Sequence, residues 1–249
     1  MESIKKTAVL YLLAALFLAN ILIWYVVLRE ERGDILTVAF LDVGQGDAIF
    51  IEAPNGNQML VDGGGSATVL RALGKVMPFY DRSIDVVLAT HPDKDHIGGF
   101  PDVFKNFDID YFIEPGVSSD TGAYTALIQS VAREEGMEKI IARRGMKIFL
   151  SDDIFLLILF PDRDMEGADT NDASIVAKLV YGNTSFLLTG DSPIKIENYL
   201  VSIDGESLDV DVLKAGHHGS KTSTSETFLG FVSPATSVIS VGSDNRYGH

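Results

Sequence analysis

An α/β architecture of two mixed sheets with helices outside, preceded by one membrane-length helix, is what this sequence predicts. Three observations carry that expectation. Residues 7–28 are apolar apart from Thr7 and Asn20, long enough to cross the ~30 Å hydrocarbon core of a bilayer as a helix. From Ile35 onward, apolar runs of strand length come first as hairpins and then alternate with helical periods. Four of the five histidines, His91, His96, His217 and His218, follow directly on such runs.

Taken in order, residues 1–6 read as a cytoplasmic tail, 7–28 as a transmembrane signal anchor, 29–34 as a linker and 35–249 as the soluble domain. Trp24 and Tyr25 suit a membrane interface. The absence of a polar face over six turns argues against a buried core helix. A cleaved signal peptide would have a shorter apolar core and a small-residue cleavage site. The very short N-terminal tail favours a single-pass orientation with the domain outside the cytoplasm.

Residues 35–41, 48–52 and 58–61 predict strands, the last two joined by an Asn55-Gly56 turn. Residues 69–77 predict a helix, 84–89 a buried strand, 97–107 a helix, 109–113 a strand and 121–136 a helix. Strands follow at 147–150, 154–160, 175–181 and 184–189, with Gly182-Asn183 turning the last pair. Residues 194–203 predict a helix, 210–214 a strand, 223–231 a helix and 236–241 a final strand. The chain stops soon after that strand, which reads as a truncated C-terminus.

Composition narrows the chemistry. A net charge of −15 argues against broad nonspecific nucleic-acid binding, which needs a basic surface. It leaves room for a nucleic-acid substrate where divalent metals add positive charge. With no cysteine there are no disulfides or thiolate ligands. Imidazole and carboxylate remain, and they suit Zn, Mn, Fe or Mg better than soft metals.

Four motifs carry candidate residues. The run Thr90-His91-Pro92-Asp93-Lys94-Asp95-His96-Ile97-Gly98-Gly99 places two imidazoles and two carboxylates on a loop opening a helix. His91 and Asp93 can serve one metal and Asp95 and His96 a second, or Asp95 can act on the attacking water. In Leu188-Thr189-Gly190-Asp191 an apolar strand ends in a carboxylate able to bridge two metals. In Leu213-Lys214-Ala215-Gly216-His217-His218-Gly219-Ser220-Lys221 one histidine can complete a metal site, and Lys214 or Lys221 can neutralise a phosphate. Tight glycine turns account for most of residues 40–48, and Asp62 reads as a support for a ligand or loop.

Together these motifs resemble the metallo-β-lactamase superfamily over residues 35–249. More narrowly, they resemble the hydrolase domain of the ComEC competence (DNA internalisation) family. The narrower likeness rests on Leu41 to Ala48, the 90–99 run with Asp93 where an imidazole is commoner, the Asp191 and Lys214–Ser220 motifs, and Asn245-Arg246-Tyr247-Gly248-His249. The resemblance implies an αββα sandwich and a metal-dependent hydrolase acting through metal-activated water. It implies ligands at His91, Asp93, Asp95, His96, Asp191 and His217, holding two Zn²⁺ or Mn²⁺ ions. Asp95 and Lys214 are the expected catalytic residues, and His218, Ser220 and Lys221 the expected substrate contacts. The favoured substrate is DNA, cut as by a nuclease at the cell membrane. The alternatives are a lactone, a β-lactam or a cell-surface phosphoester, or a catalytically silent, membrane-tethered binding module. Two departures stand out. Asn171-Asp172 occupies the place where most members have a histidine, and the multi-helix channel of ComEC proteins is missing. A separate channel protein is therefore the expected partner.

Overall fold

The computed structural model describes residues 2–30, 35–243, 245 and 248. They form two units, residues 1–35 with 54–56, and residues 36–53 with 57–249. Arg246, Tyr247 and His249, part of the C-terminal motif, and residues 31–34 of the expected linker lie outside the described residues.

In the first unit a single helix, α1 (Glu2–Glu30), runs through the whole apolar segment and beyond both expected boundaries. Its stretch Lys6–Val27 has a mean hydropathy of 2.3, and none of its residues is buried. Among the described residues it is the one helix long and apolar enough to cross a membrane.

The second unit is a four-layered sandwich. Its first half runs β1 (Thr37–Phe40), β2 (Ile49–Glu52), β3 (Gln58–Val61), α2 (Thr68–Leu73), β4 (Ser83–Leu88), α3 (Lys94–Ile97), α4 (Phe100–Asn106), β5 (Asp108–Glu114), α5 (Gly122–Val131) and β6 (Glu138–Ile141). Its second half runs β7 (Lys147–Phe149), β8 (Ile154–Phe160), β9 (Val176–Tyr181), β10 (Thr184–Leu188), α6 (Ile194–Asp204), β11 (Val212–Lys214), α7 (Glu226–Val232) and β12 (Thr236–Val238). Each half forms one six-stranded sheet in sequential order. Both begin with antiparallel pairs and end with parallel ones.

Period-two alternation explains the layering. Phe50, Leu60, Val87 and Phe112 face one way and join Phe100, Val103 and Leu127 of the first helical layer. Ile49, Ile51, Met59, Val61, Val86 and Leu88 face the other way and meet Ile154, Leu156, Ile158, Ala177 and Leu179 of the second sheet. Leu187, Leu213 and Val176 then pack under Leu200, Phe228 and Val232 of α6 and α7.

Two local readings change. The helix expected over 97–107 is broken into α3 and α4 by Gly98-Gly99. A Cβ on Gly98 would lie 2.5 Å from the Gly65 carbonyl, and one on Gly99 2.1 Å from that of Gly63, so the loop after β3 packs where side chains would stand. Strand β6 carried no sequence signal. It is an edge strand with three exposed positions of four, so the alternation that reveals half-buried strands is absent.

Candidate metal centre

The site gathers at the C-terminal ends of parallel strands. β4 leads into Thr90-His91, and α3 carries Asp95 and His96. β10 leads into Asp191, and β11 into His217-His218. His217 and His218 both adopt left-handed backbone, φ 48° and 53°. This conformation costs energy away from glycine and turns both rings toward the site.

Asp191 is the hub. Its Oδ2 lies 3.9 Å from His91 Nε2, 3.7 Å from His217 Nε2 and 3.6 Å from His218 Nε2, and its Oδ1 lies 3.3 Å from His96 Nε2. The opposite nitrogen of every ring is tied back. His96 Nδ1 donates to Asp62 Oδ2 at 2.8 Å, and His218 Nδ1 to the Ser240 carbonyl at 3.0 Å. Thr90 Oγ1 donates to Asp62 Oδ2, so it accepts from His91 Nδ1 at 3.0 Å. Thr222 Oγ1 donates to Ser220 Oγ, so it accepts from His217 Nδ1 at 3.1 Å. With each Nδ1 carrying the proton, four Nε2 lone pairs face one carboxylate.

That arrangement needs positive charge between its members. Nε2 of His91, His96 and His218 and Oδ1 of Asp191 are buried and have no hydrogen-bond partner, whereas buried polar atoms are ordinarily paired. Donor atoms of Asp47, His96, Asp191 and His218 all lie within 4.8 Å of one another, a spacing able to hold a metal ion. The residues therefore fit a divalent cation. Without one, protons take its place. Burial opposes charge on His96, but Asp191 and Asp62 overcome it and raise its pKa well above the usual value. Burial likewise opposes charge on His218, but Asp47 and Asp95 raise it to about 9. At His91 burial prevails, helped by the charge of His96, and holds the ring down at about 3.

The expected residues occupy two kinds of place. His91, His96, His218 and Asp191 form a buried wall. Asp93, Asp95 and His217 form a lip, their side chains 39%, 37% and 29% exposed. Asp93 Oδ2 lies 3.8 Å from His91 Nε2, and Asp95 Oδ2 3.3 Å from His218 Nε2. Ser220 and exposed Lys221 sit on the loop beyond His217.

Two of the expected residues stand away from the open face. His218, expected to touch substrate, is only 2% exposed and stands inside the ligand cluster. Lys214, expected to be catalytic, is 1% exposed, and its ammonium is spent on Asp47 Oδ2 and the Ala215 carbonyl. Its strand position points it inward, behind the site.

Asp47 is the residue the sequence reading missed. It is fully buried, 3.3 Å from His218 Nδ1 through Oδ1. Burial works against its charge, but Lys214 above all holds its carboxyl down at about 2. The signal was a carboxylate following Gly-Gln-Gly, hidden because glycine turns explained the segment. Thr90 and Thr222 were also missed, since hydroxyls that orient rings leave no spacing rule. Asn171 stands between Thr170, which hydrogen-bonds Asp93, and Ser174, whose Oγ accepts from the Asp191 N–H. Its Oδ1 is buried without a hydrogen-bond partner.

A family model of the metallo-beta-lactamase superfamily matches residues 41–243, and the chain belongs to that superfamily of metal-dependent hydrolases. Its relatives are competence proteins. ComE operon protein 3 of Bacillus subtilis (strain 168) is 32% identical over 230 residues, 85% of this chain and 29% of that protein. Competence protein ComA of Neisseria gonorrhoeae is 32% identical over 216 residues, 85% of this chain and 28% of that protein. The chain thus spans less than a third of the length of these relatives. Among solved structures, a CmlA beta-hydroxylase mutant shares the fold at a TM-score of 0.52 and 15% identity, over 82% of this chain and 46% of that one.

Proposed function

We propose that this chain is a membrane-anchored, divalent-metal-dependent phosphodiesterase whose substrate is DNA. The observation that carries the reading is the convergence of four imidazole Nε2 atoms on Asp191, each with its Nδ1 tied back. It supports two ions: His91, Asp93 and His217 would hold one, and Asp95, His96 and His218 the other, with the Asp191 carboxylate facing both sets. The mixed imidazole and carboxylate donor set makes Mn²⁺ as suitable as Zn²⁺. Bound there, such ions polarise a phosphoryl oxygen and acidify a water.

The chain's own residues supply the rest. Asp95, half-open at the lip, accepts a hydrogen bond from the attacking water and orients it. Lys221 and Ser220 meet the phosphate from the neighbouring loop. His218 serves as a ligand, and Lys214 as the support of Asp47. Both named relatives are competence proteins, and the likeness to the ComEC branch favours DNA over lactone or β-lactam. Helix α1 crosses the membrane with the domain outside the cytoplasm, and a multi-helix channel is the partner that would conduct DNA.

The test is the purified full chain in nanodiscs with Mn²⁺ or Zn²⁺, assayed on single-stranded DNA, bis-p-nitrophenyl phosphate, a lactone and nitrocefin. Metal-dependent phosphodiester cleavage is expected. Turnover of the lactone or nitrocefin alone would replace the substrate class. A chain without bound metal or any turnover would be the silent binding module.

A further inference from the structure

We propose that the groove between the exits of β1 and β12, with Gln45 where its walls meet, is the subsite for the nucleoside beside the scissile phosphate. The proposal rests on the reading of the chain as a phosphodiesterase acting on DNA.

Topology creates the groove beside the metal centre. β1 and β12 are edge strands of the two sheets. β12 runs parallel to β11. β1 runs the same way as β3 and β4, because β1 and β3 both pair antiparallel with β2 and β3 pairs parallel with β4. Both edge strands therefore end on the side where β4 and β11 deliver their histidines. The segment from Phe40 to Gly44 lines one wall and that from Val238 to Val241 the other, around a space of about 260 Å³. Drug-sized ligands fill ~300–1,000 Å³, so this space suits one small ring system.

Each wall is continuous with a loop of the metal centre. On the first, Asp47 N–H donates to the Asp95 carbonyl at 3.2 Å, and a Cβ on Gly46 would lie 2.0 Å from that same oxygen. On the second, the Ser240 carbonyl accepts from His218 Nδ1 at 3.0 Å. Ile239 Cγ2 lies 3.2 Å from the place of a Cβ on Gly219, the residue before Ser220. The groove thus opens beside Asp95 on one side and the Ser220–Lys221 loop on the other.

Gln45 joins the two walls. Its Oε1 accepts from Gly242 N–H at 3.1 Å, which settles which way the amide points. Gly44 and Gly46 on either side have φ of 82° and 124°, conformations glycine adopts freely, so the turn that presents Gln45 is fixed as well. Its Nε2 has no hydrogen-bond partner among the described residues. An amide with its oxygen engaged and both N–H groups free is a donor on offer. Asp93 and Asp95, at the lip nearby, are acceptors.

Chemistry selects the occupant. Among the described residues lining the groove, Asp42 is the one with a charged side chain. It is exposed, and its Oδ1 accepts from Gly44 N–H at 3.3 Å. A carboxylate there repels a phosphate and accepts from a neutral N–H. Ile239 and Val241, 55% and 37% exposed, give the other wall an apolar surface. A nucleobase answers all three features. Its face is flat and largely apolar, and its edge carries N–H groups for Asp42 and a ring carbonyl or nitrogen for Gln45. The attached phosphate is then left to the metal centre, Ser220 and Lys221.

The test uses the full chain in nanodiscs with Mn²⁺ and three substrates: the p-nitrophenyl esters of thymidine 5′- and 3′-monophosphate, and methyl p-nitrophenyl phosphate. All three release p-nitrophenolate by cleavage of the same kind of P–O bond, and only the first two carry a nucleoside. One nucleoside ester or both should exceed the methyl ester in kcat/KM about 10-fold, the worth of one to two hydrogen bonds. Gln45→Glu keeps an oxygen for Gly242 N–H and removes the donor. It should bring that ratio close to one through KM, and Ile239→Glu should do the same from the opposite wall. In the metal-free native chain, saturation-transfer NMR should show contact with the base protons of thymidine, and that contact should be lost in Gln45→Glu. Equal kcat/KM on all three esters would overturn the subsite and leave the phosphodiesterase standing. A loss shared equally by all three esters in both variants would assign these residues to holding the fold and overturn the subsite too. No hydrolysis of any ester would overturn the phosphodiesterase reading and the subsite with it.

Discussion

The wall and the lip of the metal centre differ in how they are held. His91, His96, His218 and Asp191 are buried, and each of the three rings has its far nitrogen bound to Thr90, Asp62 or Ser240. Behind them lies the Asp47–Lys214 pair, itself buried. Asp93, Asp95 and His217 are a third exposed and face solvent. The wall is built to keep atoms in place whether or not a cation is present. The lip is where water and substrate can exchange. Loss of a wall residue should therefore remove metal, and loss of a lip residue should remove turnover with metal retained.

Asp191→Ala breaks the comparison at its hub. Metal content, read by plasma emission spectrometry, is expected to fall to background and cleavage to vanish. Asp95→Asn is expected to lower turnover about 10²–10⁴-fold, the range for a lost general base, while the variant still carries metal. Equal loss of metal in both variants would erase the distinction between wall and lip. Lys214→Met leaves the buried Asp47 carboxylate without its partner and is expected to cost about 3–5 kcal/mol in denaturant unfolding. Asp47→Asn combined with Lys214→Met should recover most of that, because no buried charge is then left alone. Thr222→Ala frees the His217 ring at the lip and should lower turnover about 10–100-fold with metal retained, as lost ring-orienting bonds do.

The smallest effect concerns pH in the metal-free chain. His91, held down at about 3, binds its proton only in the unfolded chain between that value and 6.5. Its contribution is present above 6.5 and fades as pH falls. His218, raised to about 9, contributes fully below 6.5, and that share fades as pH rises through 9. The melting temperature of the metal-free chain should therefore peak near pH 6.5 and fall on both sides. A flat profile would mean that the wall is not charged as its geometry requires.

The sequence alone determined the sandwich, the anchor-length helix and the His91–His96 run. Strand alternation and a continuous apolar stretch are local properties, and six consecutive positions at the end of one strand have little freedom in where they point. It also named Asp191 and both later histidines as candidates, since each follows an apolar strand. Only the tertiary structure decided how they share the site. β10 and β11 lie side by side in parallel, which brings Asp191 and His217-His218 to one edge. Left-handed backbone at both histidines then turns the second ring inward as well as the first. The structure also paired Asp47 with Lys214 and so moved that lysine from the substrate side to the rear. No spacing rule links those two residues, because their meeting depends on the packing of one sheet against the other.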